Sequence, residues 1–131
     1  RLYSEFDNYR KRTIKERLDM AKFASEEVIV ELLPILDDFE RAIKSTEEVK
    51  ECDPVKEGMK LIFNKFSATL TKKGLKPIEA IGQDFDTDFH EAITYIPASS
   101  EDQKGKIVDE IEKGYLLNEK VIRYAKVVIG Q

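Results

Sequence analysis

The stretch Val28–Ile43, VIVELLPILDDFERAI, determines how the rest of this chain must be organised. On a helical wheel its apolar residues form one broad stripe, which contains Val28, Leu32, Ile35, Phe39 and Ala42 and is widened by Ile29, Leu33, Leu36 and Ile43. A second apolar stripe at helical spacing runs from Val55 to Leu70. Two helices alone cannot enclose a core of this width, so we expect a second copy of the hairpin to complete it.

Helix-breaking residues divide the helical part of the chain. Residues 1–27 contain no glycine or proline and predict one long helix with a weak coiled-coil repeat. Proline removes a helical hydrogen bond and disfavours the helical conformation in its predecessor, so Pro34 predicts a break or kink near Leu33. We then expect a second helix from Pro34 to about Val49.

A third helix is predicted by its end signals. Asp53 followed by Pro54 is typical of an N-cap and a first helical position. Lys72 and Lys73 before Gly74 are typical of a helix end. Gly58 lies inside this helix, where glycine costs ~1 kcal/mol relative to alanine, and we expect the close approach of a neighbouring helix to compensate.

After Gly74 the apolar residues alternate with the period of two that is typical of strands. The predicted strands are Leu75–Ile81, His90–Ile96, Lys106–Ile111 and Val121–Ile129. Turn signals separate them at Gly82–Asp88, Pro97–Gly105 and Gly114–Lys120. The sequence therefore predicts an α+β chain with a long helix over residues 1–33, a helix hairpin over 34–74 and a small all-β wing over 75–131.

Composition limits the class of protein. The chain has 131 residues, of which 37% are charged, and a single cysteine, Cys52. No disulfide can form within one chain, which favours a reducing compartment. No apolar run approaches the ~20 residues that span a bilayer. The sequence begins at Arg1 without a methionine, so we expect an excised or processed piece.

Charge is distributed unevenly along the chain. Residues 1–22 carry seven basic and four acidic side chains, whereas residues 23–57 carry four basic and eleven acidic ones. The basic side chains concentrate in Arg10–Arg17. A basic end on an acidic body indicates either a solvated helix face or a steered contact with an acidic partner.

The sequence lacks the residue patterns of a catalytic or metal site. His90 is the only histidine, and no nucleophile-elbow glycine pattern accompanies it or Cys52. Asp86, Asp88, His90 and Glu91 match neither an EF-hand loop nor a zinc signature. We expect a binding module with no catalytic residues, no metal and no cofactor.

Ordered motifs over essentially all 131 positions resemble the GrpE family, the nucleotide exchange factors of DnaK-type heat-shock chaperones. The helical motifs are FDNYRKR at 6–12 and ELLPILD at 31–37, followed by Gly58 and Lys73–Leu75. The β part contributes Phe85–Asp86, His90–Ala92, Gly114–Tyr115 and Ile122–Val127. Family members often carry proline where Thr87 and Tyr124 stand.

The resemblance implies a homodimer with paired long helices, a dimeric four-helix bundle and a β wing on each protomer. It implies that one wing and the adjoining helices bind the ATPase domain of a DnaK-type chaperone, open its nucleotide cleft and release ADP. The positions that match partner contacts of the family are Lys11, Arg12, Arg41, Phe85, Thr87, Ile111, Lys120 and Ile129. The positions expected at the dimer interface are Leu32, Ile35, Leu36, Phe39, Gly58, Met59, Ile62 and Phe66.

Two other functions fit parts of the sequence. A coiled-coil adaptor dimer would account for the helices but would leave the β wing without a role. A nucleic-acid-binding dimer would use the basic helix with Tyr9 stacking on bases, but a pI of about 5.2 opposes it. The expected location is the bacterial cytoplasm, or an organelle matrix if a targeting segment has been removed.

Overall fold

A computed structural model of the chain describes residues 1–47 and 53–131. The described residues form the helices α1 (Leu2–Thr46) and α2 (Pro54–Lys72), followed by six strands and a short 3-10 helix, Glu101–Gln103. Both helices precede all the strands, so the predicted α+β class is confirmed. The chain divides into two compact units, residues 1–32 and residues 33–131. The predicted helix end near Val49 and the single Cys52 lie outside the described residues.

Of the break or kink predicted near Leu33, the break is wrong, because α1 continues through Pro34 as far as Thr46. No separate second helix begins at Pro34, and the kink stays a prediction. Proline inside a helix costs about 3 kcal/mol. Leu33 and Leu36, on either side of Pro34, are almost completely buried, and burying a leucine side chain contributes roughly 1.5–3 kcal/mol. Packing of the flanking turns therefore offsets the lost hydrogen bond, and the proline does not end the helix.

The end signals of α2 are confirmed. The Asp53 carboxylate accepts a hydrogen bond of 3.0 Å from the Val55 N–H, and Pro54 occupies the first helical position. Gly74 follows the last turn with a φ of 100°, a left-handed conformation that favours glycine. A Cβ at Gly74 would also clash with the Asn118 side-chain oxygen.

Gly58 lies in the interior of α2, as predicted, but without the close neighbour that was expected to compensate for it. A Cβ added at Gly58 would meet nothing within 4 Å. The described part of this chain therefore does not supply the neighbouring helix, and the expected compensation stays a prediction.

The β part differs from the prediction at its start, in the middle and at the end. The first strand ends at Pro77 instead of Ile81, and the third runs from Ile107 to Glu112 instead of from Lys106 to Ile111. The strands are β1 (Leu75–Pro77), β2 (His90–Ile96), β3 (Ile107–Glu112), β4 (Tyr115–Leu117), β5 (Lys120–Arg123) and β6 (Ala125–Gly130). The predicted turn at Gly114–Lys120 contains β4, and the predicted strand Val121–Ile129 is interrupted between β5 and β6. Asn118 and Glu119 join β4 to β5 with φ values of 49° and 70°, as a two-residue hairpin turn requires.

The strands form two small sheets in residues 75–131, here called the β domain. One sheet has the order β1-β4-β5, and the other has the order β2-β6-β3, with β6 parallel to β2 and antiparallel to β3. Their shared core consists of Ile78, Ala80, Ile107, Ala125, Val127 and Ile129, with Phe85, Ala92, Leu116 and Val121 packed against it. The β domain therefore has a hydrophobic core of its own.

Candidate functional site

The basic residues predicted to contact a partner lie on exposed surface of α1. Lys11 Nζ lies 3.0 Å from Asp7 Oδ2, and Arg12 Nε lies 3.9 Å from Glu16 Oε1. The Arg12 guanidinium also stands 5.7 Å from the centre of the Tyr9 ring. Exposed ion pairs of this kind contribute roughly 0–1 kcal/mol. An acidic partner could therefore recruit either cation at little cost to the helix.

Arg41 lies further along α1, in the unit formed by residues 33–131. Its guanidinium pairs with Asp38, and both side chains are exposed. The pair joins residues three apart on one helix, so Arg41 has the same kind of weak local partner as Lys11 and Arg12.

Thr87 lies in a tight turn that precedes β2. The Asp86 side chain accepts a hydrogen bond of 2.9 Å from the Asp88 N–H, and the Asp86 carbonyl accepts one of 2.8 Å from the His90 N–H. The His90 ring closes the turn from the other side, because its Nδ1 accepts a bond of 3.0 Å from the Asp86 N–H. Thr87 is thereby presented on a turn whose backbone is held at three points.

His90 is buried and acts as a structural acceptor, not as a candidate acid or base. Its ring packs near Phe85 and Phe89, at centroid distances of 6.0 and 6.3 Å. Burial lowers the pKa of His90, and the charge of Asp86 opposes this only in part. The neutral ring with Nδ1 free to accept is therefore the form that suits the turn.

The other positions predicted to contact a partner are distributed over the β domain. Ile111 on β3 is 57% exposed, and Lys120 is exposed at the start of β5. Phe85 is half-buried against the core. Ile129 on β6 is only 5% exposed and belongs to the core. Truncating Ile129 would therefore disturb packing inside the β domain, which makes it unsuitable for testing a surface contact.

The residues predicted at a dimer interface differ in how much of each side chain this chain covers. Ile35 and Ile62 are about half exposed, and the Gly58 position is open. Leu36 is buried within the chain and has almost no surface to offer a second copy. The remaining members of the set are Leu32, Phe39, Met59 and Phe66. The structure describes one chain, and the interface itself stays a prediction.

Sequence reasoning missed a group of charges that links α1 to the β domain. Arg123 on β5 binds Asp37 of α1 through two hydrogen bonds, Nη1 to Oδ2 at 2.8 Å and Nη2 to Oδ1 at 2.9 Å. Lys113 Nζ lies 3.0 Å from Glu40 Oε1, one helical turn further along. We call Asp37, Glu40, Lys113 and Arg123 the ion cluster. Asp37 and Arg123 lie in recognisable motifs, but 86 positions separate them, and no local pattern pairs residues so distant.

Burial and neighbouring charges act together on the pKa of Arg123 in the ion cluster and on that of the adjacent Tyr115. Burial by itself lowers the pKa of Arg123, but hydrogen bonding and charge from Asp37, with a further contribution from Glu112, outweigh it and raise that pKa. Burial also raises the pKa of the Tyr115 hydroxyl, and Glu40 and Asp37 add to the rise. The Arg123 guanidinium stands 5.4 Å from the Tyr115 ring centre. Both side chains keep their protons throughout the physiological range.

Glu110 is a half-buried acid beside the ion cluster. Burial raises its pKa, and the nearby charge of Lys113 opposes that rise while Glu40 adds to it. Its Oε2 is buried without a hydrogen-bond partner in the described part of the chain.

Among residues 1–47 and 53–131, no group of His, Cys, Asp and Glu side chains is arranged to hold a metal ion. No helix within those ranges is long and apolar enough to cross a membrane.

Comparison with known proteins gives one consistent family. The family model described as GrpE matches residues 1–131. The chain is 56% identical to Protein GrpE of Bacteroides thetaiotaomicron over 131 residues, which are all of this chain and 68% of that protein. It is 53% identical to Protein GrpE of Parabacteroides distasonis and 48% identical to that of Porphyromonas gingivalis, again over the whole chain and 68% of each relative.

Proposed function

This chain belongs to the GrpE family of nucleotide exchange factors for DnaK-type chaperones, and from this premise we propose that it works as a homodimer that binds the chaperone's ATPase domain, opens the nucleotide cleft and accelerates ADP release. The relatives named above are bacterial proteins, which favours the bacterial cytoplasm as its location.

Exposed apolar side chains on the β domain are the observation that carries the proposal. The β domain has a closed core of its own, yet it keeps several large apolar residues at the surface: Ile81, Phe89, Ile93, Tyr95, Ile96, Ile111 and Tyr124. Single exposed apolar residues are common on protein surfaces, but a set of this size on one small domain offers apolar area that a protein partner can cover. The β domain is thus suited to supply the apolar part of the contact.

The exposed cations of α1 supply a contact of a different kind. Lys11, Arg12 and Arg41 each face a carboxylate on their own helix. Because those pairs are weak, replacing them with an acidic surface of the partner changes the free energy little in either direction. Such residues mainly raise the association rate and set orientation, and their effect falls with salt.

The homodimer is supported by apolar residues that the chain leaves uncovered on both helices. Ile35 on α1 and Ile62 on α2 are about half exposed. The open space around Gly58 would accept a neighbouring helix at close range. A second copy that covers these positions removes apolar surface from water on both chains at once.

Acceleration of ADP release requires a difference in affinity. The exchange factor must bind the open-cleft chaperone more tightly than the closed, nucleotide-bound form. This coupling is reciprocal. If the exchange factor weakens ADP binding to the chaperone by a certain ratio, ADP weakens binding of the exchange factor by the same ratio. A factor of 100 corresponds to ~2.7 kcal/mol, which a few interface residues can supply.

Release of a fluorescent ADP analogue from the ATPase domain of a DnaK-type chaperone tests the function directly. The wild-type chain should accelerate release, and the double variant Ile111→Asp with Lys120→Glu should lose most of that effect while its helix content is unchanged. Lys104→Glu repeats the charge reversal of Lys120→Glu at the exposed end of the 3-10 helix, and it is the control for that part of the double variant. A wild-type chain without effect would contradict the function, and a fully active double variant would contradict the surface.

Sedimentation tests the dimer. Ile62→Asp places a carboxylate at the proposed interface, where an unpaired charge costs several kcal/mol. We expect the wild type to be a dimer at on the order of 10 μM and the variant to be largely monomeric. Asn64→Asp adds a charge to the same helix at an exposed position outside the stripe, and it should leave the mass unchanged. A monomeric wild type would exclude the shared core.

A further inference from the structure

The Arg123 side chain, on strand β5, makes polar contacts with residues outside its own strand. Two of its nitrogens bind the two oxygens of Asp37, and its Nε donates a hydrogen bond of 2.8 Å to the Lys113 carbonyl. Its Nη1 also lies 3.6 Å from Glu112 Oε1. The side chains of Arg123 and Asp37 are only 15% and 16% exposed. One guanidinium thus joins α1, β5 and the segment between β3 and β4.

The ion cluster holds the β domain at two points one helical turn apart. Asp37 and Glu40 are three residues apart and therefore lie on the same face of α1. Arg123 binds the first and Lys113 binds the second. Two attachments along one helix resist rotation in a way that a single contact cannot. A planar, two-pronged arginine–carboxylate pair also fixes orientation more strictly than a single ammonium contact does.

Stability alone is a weak explanation for this arrangement. Removing charges from water is costly, and apolar residues of similar size often serve the free energy of folding equally well or better. What a partly buried, two-pronged ion pair supplies is one defined geometry. This points to a role in holding the β domain at a fixed angle on α1.

We infer that Arg123 is a positioning residue for nucleotide exchange, acting through Asp37 to keep the β domain rigid on α1. The inference rests on the proposed function. A rigid exchange factor fits the open chaperone and cannot also fit the closed one. If the β domain could swing on α1, it would adapt to both forms. Binding would then survive, but the difference in affinity that drives ADP release would shrink.

The decisive measurement is therefore the ratio of two affinities, and not the affinity itself. The affinity of the full chain for the chaperone ATPase domain is measured with and without saturating ADP. For the wild type we expect ADP to weaken binding on the order of 100-fold. For Arg123→Lys and for Asp37→Asn, we expect the ADP-free affinity to change less than about threefold and the ratio to fall below about tenfold.

Release kinetics give an independent readout of the same effect. In both variants the rate of ADP release at saturating exchange factor should fall several-fold. The half-saturating concentration should fall as well, because a smaller ratio at a similar ADP-free affinity means tighter binding to the ADP-bound chaperone. The double variant should be no worse than either single variant, because both remove one shared interaction. Glu101→Gln, which breaks an exposed ion pair with Lys104, is the control and should leave the ratio and the saturating rate unchanged.

Circular dichroism and sedimentation keep a folding defect apart from a positioning defect. All assays are run at a temperature where each variant is folded and has the mass of the wild type. Folded variants that retain the wild-type affinity ratio and saturating rate would overturn the inference and leave the proposed function standing. A wild type that shows no ADP-dependent affinity would overturn both.

Discussion

Residues 1–32 and the β domain show two different ways of being stable. In residues 1–32 most large apolar side chains are exposed within the chain, including Leu2, Phe6, Tyr9, Met20 and Phe23. In the β domain the residues Ile107, Ala125, Val127 and Ile129 are almost completely buried among one another. The helix is held by its backbone hydrogen bonds and local side-chain pairs, whereas the β domain is held by a core.

Because of this difference, we expect the two regions to depend on a partner to different extents. An isolated helix is marginally stable in water unless an apolar face is packed. We therefore expect the exposed apolar residues of the first unit to pack against a partner surface, and we expect the β domain to keep its structure without one. The stability of the β domain and that of the first helix can then respond separately to temperature and to mutation, because only the helix depends on association.

The largest expected effect comes from breaking the core of the β domain. Ile107 and Ile111 are the same residue type on the same strand, but they are 1% and 57% exposed. Ile107→Ala should lower the free energy of unfolding of the β domain by about 2–5 kcal/mol. Ile111→Ala should change it by less than about 0.5 kcal/mol. Hydrogen exchange of the β6 amides, recorded as denaturant is added, measures the free energy of unfolding of both variants. Equal losses of stability in the two variants would contradict the difference in burial.

Heating should separate the two regions. Because residues 1–32 have no core comparable to that of the β domain, we expect helix signal from this unit to be lost reversibly at a lower temperature than the β structure. Stimulated ADP release should decline with this first transition. Circular dichroism at helix and tyrosine wavelengths follows the two events. A single transition at both wavelengths would show that the regions unfold together.

Acidification should weaken the β domain through His90. Burial lowers the folded-state pKa of His90 below its ordinary value of 6.5. The unfolded chain therefore takes up a proton before the folded chain does, so this contribution to stability is complete above pH 6.5 and is lost as pH falls through the lowered pKa. His90→Asn keeps an acceptor for the Asp86 N–H and should reduce this loss between pH 7 and 5. An identical pH dependence in the variant would exclude the mechanism.

The smallest expected effect concerns the charges of the first unit. Asp7 pairs with both Arg10 and Lys11, at 3.2 and 3.0 Å, and all three side chains are exposed. Asp7→Asn should destabilise the helix by about 0.5 kcal/mol or less. Thermal melts at low salt should detect the shift, and melts in 1 M salt should not, since screening then acts within ~3 Å. A shift that persists in high salt would indicate a contact other than an ion pair.

The elements that were predicted correctly are those with short-range causes. The bounds of α2 follow from an N-cap aspartate, a first-turn proline and a final glycine, and each signal acts within a few residues of the helix end. Strand β2 follows from its alternation, and its bounds are as predicted. Strand β4 was missed, because three residues beside Gly114 carry too short an alternation to distinguish from a turn. Its pairing with β1 and β5 forms it.

The sequence by itself determined the α+β order, the ends of α2, the apolar stripes and the family of the protein, because each is written in neighbouring residues or in an ordered series of motifs. Only the tertiary structure decided that α1 passes through Pro34, since the burial of Leu33 and Leu36 offsets a local preference to stop. Only the tertiary structure joined Arg123 to Asp37. These two side chains meet only because the β domain packs against α1. That packing is stabilised by many residues that are far apart in the sequence, so no local sequence pattern predicts it.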